Sequence, residues 1–211
     1  MIRVLTSKWA KPVVFVLGLV PFMWLVSRII VRDLTANPIE YMTHFTGDWT
    51  IRFLLITLSV TPLRMLFKKP ALTRFRRMLG LYAFFYSCLH LSIWLLLDLQ
   101  LDLPAMVEDV IERKYITVGM AAFLAMVPLA ITSTAGWVRR LGYRRWQKLH
   151  RLVYFSAAGG VIHYYWLVKS DVREPLLYAA ILLALLAVRL PNWLRKPQPA
   201  TKRARAPATS A

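Results

Sequence analysis

Cysteine and acidic residues are both scarce in this chain. One cysteine, Cys88, stands among 211 residues, so no disulfide can form within the chain and no cysteine-based metal site is available. Asp and Glu number 10 against 28 Lys and Arg, a net charge of +18. An excess of that size often marks a nucleic-acid binder. Here the basic residues fall in loops between apolar runs, which argues against nucleic acid and for a topology signal. There is no internal repeat, no glycine-rich phosphate loop and no Ser-His-Asp spacing.

Apolar sequence is what the chain has in abundance. Hydrophobic residues make up 58% and the mean hydropathy is +0.49, a profile of polytopic membrane proteins. Six apolar stretches stand out, at 12–31, 53–67, 78–97, 115–138, 150–168 and 175–190. Backbone hydrogen bonding in lipid requires helices for such spans, so the expectation is an all-α integral membrane protein of six spans. The second stretch is short and meets Pro62, which leaves its limits open. The first follows Arg3, Lys8 and Lys11 like a signal peptide, but FMWLVSRII offers no small-residue cleavage site and reads as an uncleaved span.

Charge then orients the spans. Residues 1–11, 64–77, 139–151 and the segment from Arg189 hold 21 of the 28 Lys and Arg and no acid. All ten acids lie on the opposite side, so both termini are expected to be cytoplasmic. The organisation expected is a tail at 1–11, a helical domain at 12–190 and a basic tail at 191–211 that is disordered or bound to membrane lipid. Within the loop 98–114, Asp102 and Pro104 fit the start of a short surface helix.

Chemistry is concentrated in the histidines. His90 lies twelve residues into the third span, about 18 Å deep, and His163 lies about 20 Å beyond His150 in the fifth. His90 and His163 therefore share a depth on two spans, the arrangement that clamps a heme. Ala157, Ala158, Gly159 and Gly160 would admit a flat macrocycle or a neighbouring helix. The plainer alternative is packed histidines bonded to carbonyls or hydroxyls, and matched depth weighs against it. His150 falls at the cytoplasmic edge, level with Arg76, which shares a face with His90 if that helix reaches back far enough. Guanidinium is a poor iron ligand but a good clamp for a propionate, a flavin phosphate or a quinone. On a straight helix His150 and His163 point about 140° apart, which leaves either a distorted helix or two sites. His44, in HFTG, reads as a loop histidine.

These residues resemble a family. The His90 span and the two-histidine fifth span look like the ferric reductase transmembrane superfamily, which includes NADPH oxidases. More closely, LVPFMWLV, HFTGDWTIRFLLITLSVTPL, RRMLGLYAFFYSCLHL, ITST, LGYRRWQKLHRLVY and IHYYWLVK, in order from about residue 18 to 170, resemble the MsrQ (YedZ) family. Those proteins are heme-bearing membrane subunits of a bacterial periplasmic methionine sulfoxide reductase system. The resemblance implies a b-type cytochrome of the inner membrane, an electron-transfer subunit rather than the catalytic one, passing electrons outward to MsrP, a molybdenum-cofactor enzyme. It implies heme ligation by His90, His150 and His163, FMN as a further cofactor, and quinol or a cytosolic flavin reductase as donor. Arg76 stands where the larger superfamily carries a second histidine, which leaves one heme or two open. The acids Glu108, Asp109 and Glu112 are candidates for docking the periplasmic partner. Two rivals remain: a self-contained transmembrane ferric or metal reductase, and a small transporter with a histidine proton relay.

Overall fold

The computed structural model describes residues 7–189. Its regular elements are helical: α1 Ala10–Ile30, α2 Pro38–Phe67, α3 Thr73–Ile93, α4 Leu103–Glu112, α5 Lys114–Ile131, α6 Ala135–Leu141, α7 Tyr143–Leu149, α8 Leu152–Leu167 and α9 Arg173–Ala187. Among the described residues, four stretches are long and apolar enough to cross a membrane: α1, α2, 70–98 and α5. The remaining two expected spans are shorter helices, α8 of 16 residues and α9 of 15. Residues 1–6 and the tail at 191–211 lie outside the described residues.

The second span departs most from expectation. It does not begin near 53 but at Pro38, where the Asn37 side chain accepts a hydrogen bond from the Glu40 amide at 3.3 Å. It then runs 30 residues, through Pro62. Asp48 and Arg52 hide this continuity in the sequence, because two charges break the apolar run. They pair with each other at 3.4 Å, and Arg52 Nε donates to the Tyr178 hydroxyl at 2.9 Å. His44 consequently sits on a helix, not in a loop. Pro62 lacks the amide that would bond the Leu58 carbonyl. The buried Arg189 guanidinium donates to that carbonyl instead, and also to Leu185 O at 2.6 Å. A proline that should break the helix is thus tolerated because a distant cation satisfies the orphaned acceptor.

α2 is the axis of the bundle. Ile51, Leu55 and Leu58 pack with Ala157 and Val161 of α8 and with Tyr178 and Leu182 of α9. Phe53 and Leu54 pack with Tyr82, Ala83 and Tyr86 of α3 and Met126 of α5. α1 is held to α3 by tyrosines. The Tyr86 hydroxyl accepts from Phe22 N–H at 3.0 Å and donates to Gly18 O at 2.9 Å, bridging one rung of the α1 ladder beside Pro21. Gly18 is required there, since a Cβ would run into the Tyr82 ring.

Two further expectations need correction. The fourth span does not run unbroken to 138: α5 ends at Ile131 and α6 starts at Ala135, after Thr134 caps it. The fifth does not start at His150: a turn at residues 150–151 separates α7 from α8. The helix through Ala157–Gly160 is continuous, so the turn rather than those small residues separates His150 from His163. The short helix in 98–114 forms as expected, with Asp102 accepting from Ala105 N at 3.0 Å.

Candidate functional site

His90 on α3 and His163 on α8 meet. Their ring centroids are 6.1 Å apart with planes at 84°. Each ring is fixed the same way. His90 Nδ1 donates to Thr43 O on α2 at 2.9 Å, and His163 Nδ1 donates to Tyr115 O on α5 at 2.7 Å. These bonds put the proton on Nδ1 and leave Nε2 with a free lone pair. Neither Nε2 has a hydrogen-bond partner among the described residues. The plainer alternative weighed from the sequence is therefore half present: carbonyls hold both rings, but through one nitrogen each.

A repeated local device makes room for the rings. Thr43 is followed four residues later by Gly47, and Tyr115 by Gly119. In an α-helix the carbonyl at i receives the amide at i+4, so each histidine lies over the turn that its acceptor closes. A Cβ on Gly47 would stand 3.2 Å from His90 Nδ1, and one on Gly119 would stand 2.7 Å from His163 Nδ1. A carbonyl that accepts twice uses both lone pairs. The sequence carried this signal as two glycines four residues after an accepting carbonyl, on the helices beside the histidine helices; histidine spacing alone does not point to it.

Both rings line one cavity of about 540 Å³. Its lining includes Ile51, Leu54, Phe123 and Met126, the half-buried Asp48, and the exposed Glu40, His44, Asp98 and Arg113, which mark its mouth. Gly160 borders it with nothing within 4 Å of an added Cβ, whereas a Cβ on Gly159 would meet Ala122 at 2.9 Å. The two glycines divide their work: Gly159 seats α8 against α5, and Gly160 leaves space in the cavity. The fully buried Ser156 hydroxyl, also on the wall, has no hydrogen-bond partner among the described residues. Metal–imidazole bonds of about 2 Å put rings on opposite sides of one ion roughly 6 Å apart, centre to centre. The observed separation fits that span, and the apolar walls fit a flat organic ligand.

His150 is not part of this cavity. The Thr132 hydroxyl donates to Pro128 O at 2.6 Å and so accepts from His150 Nε2–H at 3.0 Å. The Trp146 ring lies against His150 with centroids 4.0 Å apart and planes tilted by 30°, and its Nε1–H donates to Thr132 O at 2.8 Å. In this arrangement the free nitrogen of His150 is Nδ1. Arg76 lies on α3 with His90, and its charge is felt at the His150 ring. Of the acids in α4, Asp109 is paired with Arg113 at 3.1 Å, while Glu108 and Glu112 are exposed.

Residues 46–161 match the family model described as the ferric reductase like transmembrane component. A protein of Herminiimonas arsenicoxydans is 50% identical over 182 residues, covering 85% of this chain and 84% of the relative. One of Rhodospirillum rubrum is 52% identical over 183 residues, covering 87% and 88%. Both are named protein-methionine-sulfoxide reductase heme-binding subunit MsrQ. The chain belongs to the MsrQ family. A third member, from Bordetella pertussis, is 47% identical over 191 residues, covering 88% and 91%. The MsrQ relatives therefore span nearly the whole chain, including the cavity, the two glycine seats and the His150 turn.

Proposed function

We propose that this chain is an electron-carrying membrane subunit that holds a b-type heme between His90 and His163 and serves a methionine sulfoxide reductase partner. The observation that carries this reading is the pair of imidazoles 6.1 Å apart in one cavity, each anchored through Nδ1 and free at Nε2. When bound, heme would supply a one-electron carrier, and the residues that would hold it, His90 and His163, would leave no open position for oxygen. The chain's own part is to orient. Thr43 O and Tyr115 O hold the rings, Gly47 and Gly119 give them room, and Ile51, Leu54 and Phe123 keep water from the flat faces.

The finer reading follows the charge pattern and the family. The bundle crosses the bacterial inner membrane six times, with α8 and α9 as the last two spans and both termini cytoplasmic. The cavity mouth then faces the periplasm, toward an MsrP-like molybdenum-cofactor reductase, with Glu108, Asp109 and Glu112 of α4 in the docking face. Electrons enter from the quinone pool or from a cytosolic flavin reductase. His150 and Arg76 form a second site at the cytoplasmic edge, where a second heme, FMN or a quinone head group binds, with Arg76 clamping the anion. The rival reading of a self-contained metal reductase draws on Glu40 and Asp98, exposed carboxylates of the cavity lining.

Substituting His90 or His163 by Ala tests the assignment. Each variant should insert normally and lose the low-spin spectrum of this heme. Full heme content in both variants would sink it. Reduction of ferric chelates by the purified protein alone would favour the rival.

A further inference from the structure

We infer that α4 lies in the membrane interface, with Leu103, Val107 and Ile111 inserted among the lipid chains. The helix has three faces. At 100° per residue, Leu103, Val107 and Ile111 fall within about 80° of one another. They are 61%, 53% and 73% exposed, an apolar stripe with no partner in the bundle. Glu108 and Glu112 follow at about 140° and 180° from Leu103 and are also exposed. Ala105, Met106, Asp109 and Val110 take up the remaining side and are half-buried against the protein. One helix thus offers an aliphatic edge, an acidic edge and a packed edge, the partition of an interfacial helix.

The connections fix its height. A single residue, Arg113, separates α4 from α5, one of the four helices long enough to span. The Thr117 hydroxyl on the first turn of α5 donates to Val110 O, and Arg113 pairs with Asp109. α4 therefore cannot rise away from the end of that span. Leu96, Leu97 and Leu101, in the segment that connects α3 to α4, are exposed as well. A protein partner that comes and goes would leave three aliphatic side chains in water between encounters, whereas lipid covers them always. The same seating turns Glu108 and Glu112 toward water.

Single cysteines test this in full-length protein carrying Cys88→Ala, reconstituted in phosphatidylethanolamine–phosphatidylglycerol vesicles. An environment-sensitive fluorophore is attached at Val107→Cys, Ile111→Cys, Glu108→Cys or Glu112→Cys, with Leu124→Cys on the exposed side of α5 as a control. Iodide quenching should be several-fold weaker at 107 and 111 than at 108 and 112, and headgroup-proximal nitroxide lipids should quench 107 and 111 most. Equal iodide quenching at all four α4 positions would overturn the inference. So would protection of 107 and 111 that appears only when a soluble reductase is added, which would assign the stripe to protein docking. Iodide access at 124 would instead count against α5 as a span, so the two failures are distinguishable.

Discussion

Gly119→Ala should weaken heme binding about 10- to 100-fold without costing the protein its fold. The new methyl would stand 2.7 Å from His163 Nδ1, and ordinary contact begins near 3.4 Å. The imidazole must therefore move by about 0.7 Å, away from a carbonyl it now reaches at 2.7 Å. Weakening a buried hydrogen bond of this kind costs about 1–3 kcal/mol. Loss of an outer-shell partner to a metal-bound histidine typically lowers metal affinity 10- to 100-fold, or about 1.4–2.8 kcal/mol. The two routes agree. Alanine is also the better helix former by about 1 kcal/mol, which offsets part of that cost, so the heme-free protein should lose at most about 2 kcal/mol of stability and still fold. The assay is heme affinity by titration of the heme-depleted protein in detergent, beside its thermal unfolding. Gly47→Ala, at 3.2 Å from His90, should weaken heme less. Gly159→Ala should do the reverse of Gly119→Ala, lowering the unfolding temperature by pushing α8 off Ala122. If Gly119→Ala binds heme with unchanged affinity, the carbonyl does not hold the ligand histidine.

Other substitutions probe the rest of the chain. Arg189→Met strands the Leu58 carbonyl and should destabilise by about 1–3 kcal/mol, and Pro62→Ala, which restores an amide at that rung, should rescue it; a double-mutant cycle in thermal unfolding that shows no coupling would refute the capping role. His150→Ala should slow reduction from the cytoplasmic side and leave the His90–His163 heme spectrum intact, whereas loss of all heme would place His150 in the only site. Reversing Glu108, Asp109 and Glu112 to Lys should slow electron delivery to the soluble reductase, most at low ionic strength. Transfer rates that stay unchanged across a salt series would remove α4 from the docking face.

How legible this was in the sequence depended on which physics set each feature. Helical apolar runs are imposed by lipid on every span, so α1, α3 and α5 could be found by composition alone. α2 could not. Its first fifteen residues carry Glu40, Asp48 and Arg52, and composition scores those as loop. Asp48 and Arg52 are tolerated because they pair with each other and Arg52 reaches Tyr178 on α9, while Glu40 is exposed in the first turn and accepts from Asn37 Nδ2 at 3.0 Å. Pro62 misled for a related reason, since its compensation by Arg189 is 127 residues away in the chain. In both places the sequence showed the cost, and only the fold shows what offsets it.

The site divides along the same line. Depth is counted along one helix at a time, so counting residues from the span ends was enough to bring His90 and His163 to one level. Azimuth is not, and the 140° disagreement between His150 and His163 was a real signal, since the turn at 150–151 takes His150 out of that helix and onto Thr132. The seats at Thr43–Gly47 and Tyr115–Gly119 belong to neither histidine helix. Each becomes a site feature only when α2 lies beside α3 and α5 beside α8, pairings the chain order does not impose. A carbonyl with a glycine four residues on is commonplace in a membrane helix. It acquires meaning from the imidazole that lies across it, which is why the two histidines could be paired before the groups that hold them were visible.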